Sequence, residues 1–144
     1  MVFYIRKYAL LLLIGGSGYG MIELLWRGRT HWSMLLAGGL AFIFFSVIAE
    51  GLDGVPLLFK AYLGATGVII IEFLFGVVFN IILGMNVWDY SDLPFNLLGQ
   101  ICPLFAAFWF VLSMIFIPIA QLVNSILRRL SRANLPAVRT KSGS

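Results

Sequence analysis

Four long apolar segments follow one another along the chain, separated by short stretches that carry most of the charged residues. They cover residues 8–26, 32–49, 61–84 and 93–127. About 20 apolar residues suffice for a helix to cross the hydrocarbon core of a bilayer. Alternating apolar and polar positions, which are typical of membrane β-strands, do not occur at the necessary length. The pattern therefore predicts an all-α, polytopic membrane helix bundle with four transmembrane helices.

The fourth apolar segment is too long for one straight crossing. Its 35 residues carry no charge, and as a single helix they would measure roughly 50 Å. Pro94, Pro103 and Pro118 can interrupt or kink a helix. We therefore predict a partly re-entrant or interfacial entry over 94–100, a kinked start, and a span over 101–122 that continues along the membrane surface.

The composition supports one membrane domain over residues 1–144. The apolar set makes up 61% of the residues and charged residues 11%, whereas soluble domains carry about 25% charged residues. So little polar surface excludes an ordinary soluble enzyme. A cleaved signal peptide is the alternative for the first segment, but its apolar character continues to Trp26 without an Ala-x-Ala site.

The basic residues flank the apolar segments, which argues against nucleic-acid binding and indicates an orientation. Arg27 and Arg29 lie on one side of the predicted bundle. The side that holds both termini carries the other eight: Arg6, Lys7, Lys60, Arg128, Arg129, Arg132, Arg139 and Lys141. The positive-inside rule then places both termini in the cytoplasm. The basic segment 128–144 is predicted to be a cytoplasmic tail that contacts anionic lipid.

Glu72 lies near the middle of the third apolar segment. An ionisable group at that depth costs about 2.5–3.5 kcal/mol on insertion scales, and usually lines a pathway or meets a partner. Gly76, Asn80 and Gly84 follow at four-residue spacing and would share its helix face. The alternative is a protonated glutamic acid that only joins two helices.

Glu23 and Tyr19 form a second polar pair, four residues apart on the first segment. Counted along the helices from the cytoplasmic side, Glu23 lies about 22 Å and Glu72 about 18 Å into the membrane. The two carboxyl groups can therefore lie at a similar level, where one shared proton or one cation would relieve their repulsion. The alternative is an ion pair between Glu23 and Arg27 in the next turn.

The predicted outer loop holds a further polar cluster. Its members are Trp88, Asp89, Tyr90, Ser91, Asn96 and Gln100. The loop has acids but no basic residue, so its mouth would attract cations, with Asp89 at the entrance. Interfacial Trp and Tyr side chains and helix capping would account for most of the same residues without a ligand.

The single His31 and single Cys102 argue against a zinc site of the usual Cys/His type and against an internal disulfide. Hard-cation binding through Glu23, Glu72 and Asp89 stays open, so the metal is left unassigned. The sequence has no glycine-rich phosphate loop ending in Gly-Lys. We therefore expect no cofactor and no ATP hydrolysis by this chain.

Several motifs resemble a bacterial family of ABC-transporter type IV permease proteins. They are Gly20-Met21-Ile22-Glu23, Glu72-Phe73-Leu74-Phe75-Gly76, Trp88-Asp89-Tyr90-Ser91, Asn96, Gly99-Gln100-Ile101 and Trp109. The sequence departs from the family at residues 36–41, which lack the proline and tyrosine expected at the second span. The resemblance implies a small inner-membrane protein of the transporter-permease type that works with a separate ATPase subunit.

Together these features favour a permease-like or channel-like module. Its polar site would consist of Glu72, Glu23, Asn80 and Tyr19, with Asp89 at the outer entrance. Four helices bury several polar groups with difficulty, so we expect a homo-oligomer, most simply a homodimer. Two alternatives stay open. One is a membrane-embedded enzyme that uses paired carboxylates as acid and base on a lipid-linked substrate; the other is a non-transporting assembly subunit.

Overall fold

Four long helices make up the computed structural model, which describes residues 1–133. They are α1 (Val2–Arg27), α2 (Trp32–Gly51), α3 (Leu57–Phe75), which continues as a π-helix (Gly76–Ile82), and α4 (Pro103–Ala133). Each crossing is long and apolar enough to span a membrane. The all-α fold class with four membrane-crossing helices is confirmed. Residues 134–144 of the predicted tail, with Arg139 and Lys141, lie outside the described residues.

The ends of the third and fourth helices differ from the sequence-based prediction. The third helix ends at Ile82, and Gly84 lies beyond it with a φ of 63°. Residues 83–102 then form a non-helical segment, named the outer segment after its predicted side of the membrane, before α4 begins at Pro103. The missing N–H of proline costs nothing at the first position of a helix. The kinked or partly re-entrant start predicted for the fourth helix is not confirmed. α4 begins at Pro103 and continues across Pro118 to Ala133.

α1 and α2 cross at close range over glycines. A Cβ atom built on Gly15 would lie 2.7 Å from the carbonyl oxygen of Gly38, and one on Gly39 would lie 2.7 Å from that of Leu12. Such distances mean that the two backbones touch where side chains are absent. Small residues allow this kind of approach between membrane helices, where dispersion contacts rather than the hydrophobic effect hold the pair together.

α4 packs against α3 and α2, while α1 has no comparable packing against α3 or α4. Ser46 on α2 donates its hydroxyl to the amide oxygen of Asn124 on α4 at 2.9 Å, and both side chains are buried. The arrangement leaves a cleft between α1 and α4 that opens sideways. The outer part of this cleft contains the candidate site.

The opposite end of the bundle is held by an ion-pair cluster. Glu50, near the end of α2, accepts from Lys7 of α1 at 2.7 Å and from Arg128 of α4 at 2.9 Å. These contacts place the start of α1 and the far part of α4 at one end of the bundle. The described basic residues near both termini therefore share that end.

The α1–α2 contact gives the first prediction. Gly15→Ala should lower the free energy of unfolding by about 1–3 kcal/mol, because the new methyl group overpacks a backbone contact. Gly18→Ala, three residues along the same helix, has no neighbouring atom within 4 Å. That control should unfold at or slightly above the wild-type temperature, since alanine is the better helix former. Circular dichroism during heating in detergent measures both variants, and equal midpoints for the two would contradict the contact.

Candidate functional site

The carboxylate of Glu72 is buried, and both of its oxygens accept hydrogen bonds. The residue is 5% exposed and lies in the last turns of α3. Tyr90 of the outer segment donates its hydroxyl to Oε1 at 3.0 Å. Trp109 of α4 donates its indole N–H to Oε2 at 2.9 Å. A single acid thus connects the third helix, the outer segment and the fourth helix.

Glu72 lines a cavity of about 190 Å³ between α1 and α4. The walls include two further ionisable side chains, Glu23 and Arg27, and the apolar side chains of Ile22 and Leu112. Six aromatic side chains complete them: Tyr19, Trp26, Tyr90, Phe105, Phe108 and Trp109. A cavity of about 150 Å³ accepts benzene, so this space is large enough for a small ligand.

The aromatic walls are ordered by contacts with one another. The rings of Tyr19 and Trp109 stack at 5.4 Å between centroids, which joins α1 to α4. Tyr90 stacks on Phe105 at 4.4 Å. Tyr90 is therefore fixed by its ring as well as by the bond of its hydroxyl to Glu72, and burial together with the Glu72 charge raises the pKa of its phenol.

Glu23 is paired with Arg27, one turn further along α1. Arg27 donates from Nε to Glu23 Oε2 at 2.8 Å, and its Nη2 bonds the same oxygen. Its Nη1 also donates to the carbonyl oxygen of Val87 in the outer segment at 3.3 Å. Glu23 and Glu72 therefore line one cavity, but the hydrogen bonds of each carboxylate go to other side chains. The ion pair weighed as the alternative for Glu23 is present.

Asn80, predicted as a member of the polar site, does not line the cavity. Its side chain accepts from the backbone N–H of Val87 at 2.7 Å and donates to the carbonyl oxygen of Trp88 at 2.9 Å. It also donates to Oε1 of Gln100 at 2.8 Å. The amide thus holds both ends of the outer segment against the helix, and it acts on the cavity only by positioning that segment.

Asp89 is likewise remote from the cavity, on the exposed surface of the outer segment. Its carboxylate accepts from the hydroxyl and from the backbone N–H of Ser91, the latter at 2.9 Å. These hydrogen bonds lower the pKa of Asp89. The predicted role at the entrance is not supported by this placement, because the carboxylate closes a local turn.

The remaining motif residues fold the outer segment on itself. Asn96 donates to the carbonyl oxygen of Ser91 at 3.0 Å and accepts from the N–H of Gly99 at 2.9 Å. Trp88 donates its indole N–H to the carbonyl oxygen of Gln100 at 3.0 Å. Gly99 has a φ of 68°, which favours glycine. Among the predicted loop residues, Tyr90 is the one that lines the cavity.

A three-acid cation site is not assembled in the part of the chain that the structure describes. Glu23 and Glu72 line the cavity, whereas Asp89 lies elsewhere. Residues 1–133 contain no group of three or more His, Cys, Asp or Glu side chains arranged to hold a metal ion. The open hypothesis of a hard cation held by those three acids is therefore not supported.

Trp109, Arg27 and the apolar walls are site residues that sequence reasoning did not assign. Trp109 had a usable signal, because a tryptophan in a membrane helix needs an acceptor for its N–H and Glu72 is the nearest buried acid in sequence. Phe105 and Phe108 gave no such signal, since in a sequence an aromatic residue that faces a cavity cannot be told from one that faces lipid.

The outer segment gives the second prediction. Asn80→Ala removes the partners of the Val87 N–H and the Trp88 carbonyl, and each buried group left without a partner costs about 1–3 kcal/mol. The variant should lose stability and become sensitive to proteases within 83–102. Asp92→Ala is the matched control, because Asp92 is exposed on the same segment and does not have the positive φ that an alanine would strain. Limited proteolysis in detergent measures both; equal cleavage would show that Asn80 does not hold the segment.

Comparison with known proteins identifies the family. A family model described as "Putative ABC-transporter type IV" matches residues 19–140, and this range contains every ionisable and aromatic side chain named above for the cavity. No curated protein and no solved structure matches the chain. The match covers most of the chain and agrees with the resemblance noted from the motifs. The chain therefore belongs to the ABC-transporter type IV family.

Proposed function

We propose that this chain is a permease-like or channel-like transport module whose transported species passes through the Glu72 cavity. One observation carries the proposal: a buried carboxylate in the third membrane helix lines a cavity of about 190 Å³ together with Glu23 and Arg27. Intramembrane acids that face a cavity usually mark a substrate, ion or proton pathway.

A purely structural role for Glu72 explains less. Its bonds to Tyr90 and Trp109 would join three elements of the fold even if nothing were transported. However, a contact that only joins helices is best served by close packing, which removes space around the polar group. Here the same carboxylate borders open volume, and the second acid and the arginine border it too.

The charge of the cavity also favours a cation or a proton. With Glu72, Glu23 and Arg27 all ionised, negative charge exceeds positive charge by one. Arg27 bonds Glu23, so of the two cavity acids Glu72 is the one without an ion-pair partner among the described residues. Charges interact strongly in a medium of low dielectric constant. A proton or a monovalent cation that enters the cavity would neutralise it, and its departure would restore the charge.

The outer segment is suited to gate access. Tyr90 bonds Glu72, and Arg27 bonds the backbone of Val87, so two cavity residues hold this segment in place. Breaking these bonds would loosen the part of the segment that borders the cavity and expose the carboxylate of Glu72, while Asn80 still holds the ends of the segment. We propose that neutralisation of Glu72 weakens its bond to Tyr90, because a neutral acid accepts a weaker hydrogen bond than a carboxylate does.

We further propose the membrane, orientation and partners of the module. The described basic residues near both ends lie at one end of the bundle, which supports a bacterial inner membrane with cytoplasmic termini. A homo-oligomer, most simply a homodimer, is the proposed assembly, because four helices alone bury several polar groups with difficulty. Family membership supports a separate ATPase subunit as partner.

Transport gives the third prediction. Glu72→Gln should abolish proton or K⁺ flux into liposomes that contain the purified protein, because the amide cannot exchange charge while it still accepts one hydrogen bond. A pH-sensitive dye inside the vesicles reports protons, and a K⁺ gradient tests the inorganic cation. Asp53→Asn is the matched control, since Asp53 is an acid remote from the cavity, and its flux should equal that of the wild type.

Folding must be followed in the same samples. If Glu72→Leu raises the unfolding temperature and leaves flux intact, the acid only joins helices and the proposal is wrong. Turnover of a lipid-linked substrate that depends on Glu72, without any flux, would favour the membrane-embedded enzyme. Flux that never exceeds that of empty liposomes would favour an assembly subunit.

Orientation gives the fourth prediction. In a Cys102→Ala background, Asp92→Cys should react with a membrane-impermeant maleimide in intact cells, because Asp92 is exposed on the outer segment. Ala133→Cys, exposed at the end of α4, should react only after the membrane is permeabilised. The reverse pattern would contradict cytoplasmic termini without affecting the transport proposal.

A further inference from the structure

We infer that the cavity binds a lipophilic organic ammonium ion of single positive charge. This inference rests on the proposed function, because it names the class of ligand for the same site. Four properties carry it: the chemistry of the walls, the excess charge, the volume and the sideways opening.

The walls suit an organic cation better than an inorganic one. Six aromatic rings line the cavity, and the oxygens among its lining side chains are those of two carboxylates and two phenols. Both Glu72 oxygens and one oxygen of Glu23 already accept hydrogen bonds. Hard inorganic cations need several free oxygen ligands, whereas an ammonium group with alkyl substituents binds to aromatic faces.

The charge and volume set the limits on the ligand. One excess negative charge matches one positive charge, because Arg27 already compensates Glu23. A volume of about 190 Å³ exceeds the roughly 150 Å³ that takes benzene. A trimethylammonium group, or such a group with one small ring, therefore fits, and any longer chain would extend out of the cavity.

The position of the opening indicates entry from the lipid. α1 and α4 lack the extensive packing that joins the other neighbours. Besides the stacked Tyr19 and Trp109, the rings of Trp26 and Phe108 bridge them, at 6.0 Å between ring centroids. Trp26 is 69% exposed and Phe108 43%. Two sources share the required chemistry: a free lipophilic ammonium ion and the ammonium headgroup of a phospholipid.

Direct binding tests the inference without flux. The full chain is placed in nanodiscs of phosphatidylglycerol, which has no ammonium group, and radiolabelled benzyltrimethylammonium is titrated by equilibrium dialysis. We expect saturable binding that unlabelled probe displaces and that its neutral isostere, neopentylbenzene, does not. Glu72→Gln should weaken binding at least about tenfold, the change expected for loss of a buried charge partner. Equal displacement by both compounds, or an unchanged Glu72→Gln, overturns the inference.

A second pair of variants guards against misfolding of Glu72→Gln. Tyr19→Leu keeps an apolar wall but removes an aromatic face, so it should bind the probe several-fold more weakly than Tyr19→Phe, which keeps the ring. Tyr62→Leu is the control on α3, because Tyr62 is 62% exposed and away from the cavity. If Tyr19→Leu binds as tightly as Tyr19→Phe, the aromatic walls do not recognise the cation and the inference is wrong.

The two sources are separated by adding phosphatidylethanolamine to the nanodiscs. Competition identifies the headgroup as the ligand, and undiminished binding identifies a free ammonium ion; either result supports the shared chemistry. Failure of this inference is distinguishable from failure of the proposed function. Flux that depends on Glu72 with no cation-selective binding overturns only the inference, whereas selective binding without any flux overturns only transport.

Discussion

A carboxylate within a bilayer must find its hydrogen-bond donors inside the protein, because lipid offers none. Glu72 finds them in Trp109 and Tyr90, and this requirement determines much of the outer half of the bundle. α4 must present its indole at the level of the acid. The outer segment must fold back far enough for its tyrosine to reach the same group. The cavity is the space left where these two donors and the first helix surround the acid without filling the volume between them.

The outer segment can fold back because the third helix leaves space for it at a glycine. Gly76 has no side chain, so the side chain of Gln100 lies directly against it; a Cβ at that position would come within 2.8 Å of the Gln100 Cβ. Gln100 then reaches Asn80, the next small polar residue on that face. From Gly76 onward the helix is a π-helix, a form that often occurs at functional sites. The helix face that Gly76 and Asn80 were predicted to share thus receives a non-helical segment.

The fold class was predictable because crossing a bilayer imposes a length and a composition that the hydropathy pattern displays directly. The site was predictable only in part. Glu72, Glu23 and Tyr19 could be proposed, since polar groups in an apolar segment stand out. Asn80 and Asp89 do not line the cavity, and the sequence could not show this, because an amide or a carboxylate near the interface looks the same whether it binds a ligand or a backbone. Trp109 was missed because its partner lies 37 positions away, and the rotation of each helix decides which side chains meet. A proline likewise does not show in the sequence whether a helix ends there, and α4 continues across Pro118 to Ala133.

The two hydrogen-bond donors to Glu72 differ chemically, and this difference allows the fold to stay intact when the charge of Glu72 changes. An indole N–H can only donate, whereas a phenol hydroxyl can donate or accept. When Glu72 is ionised, both side chains donate to it, one to each oxygen. When it is protonated, Trp109 can still donate to one oxygen while the new O–H of the acid donates to the phenol oxygen of Tyr90. The bond to the rigid fourth helix therefore persists in both states, and the bond to the outer segment reverses its direction. After the reversal the Tyr90 hydroxyl no longer donates to Glu72, and the hydrogen bond between them is no longer strengthened by an ionic charge. The protonation state of Glu72 therefore acts chiefly on the segment that carries Tyr90. A carboxylate held by two indoles, or by two tyrosines, would lack this asymmetry.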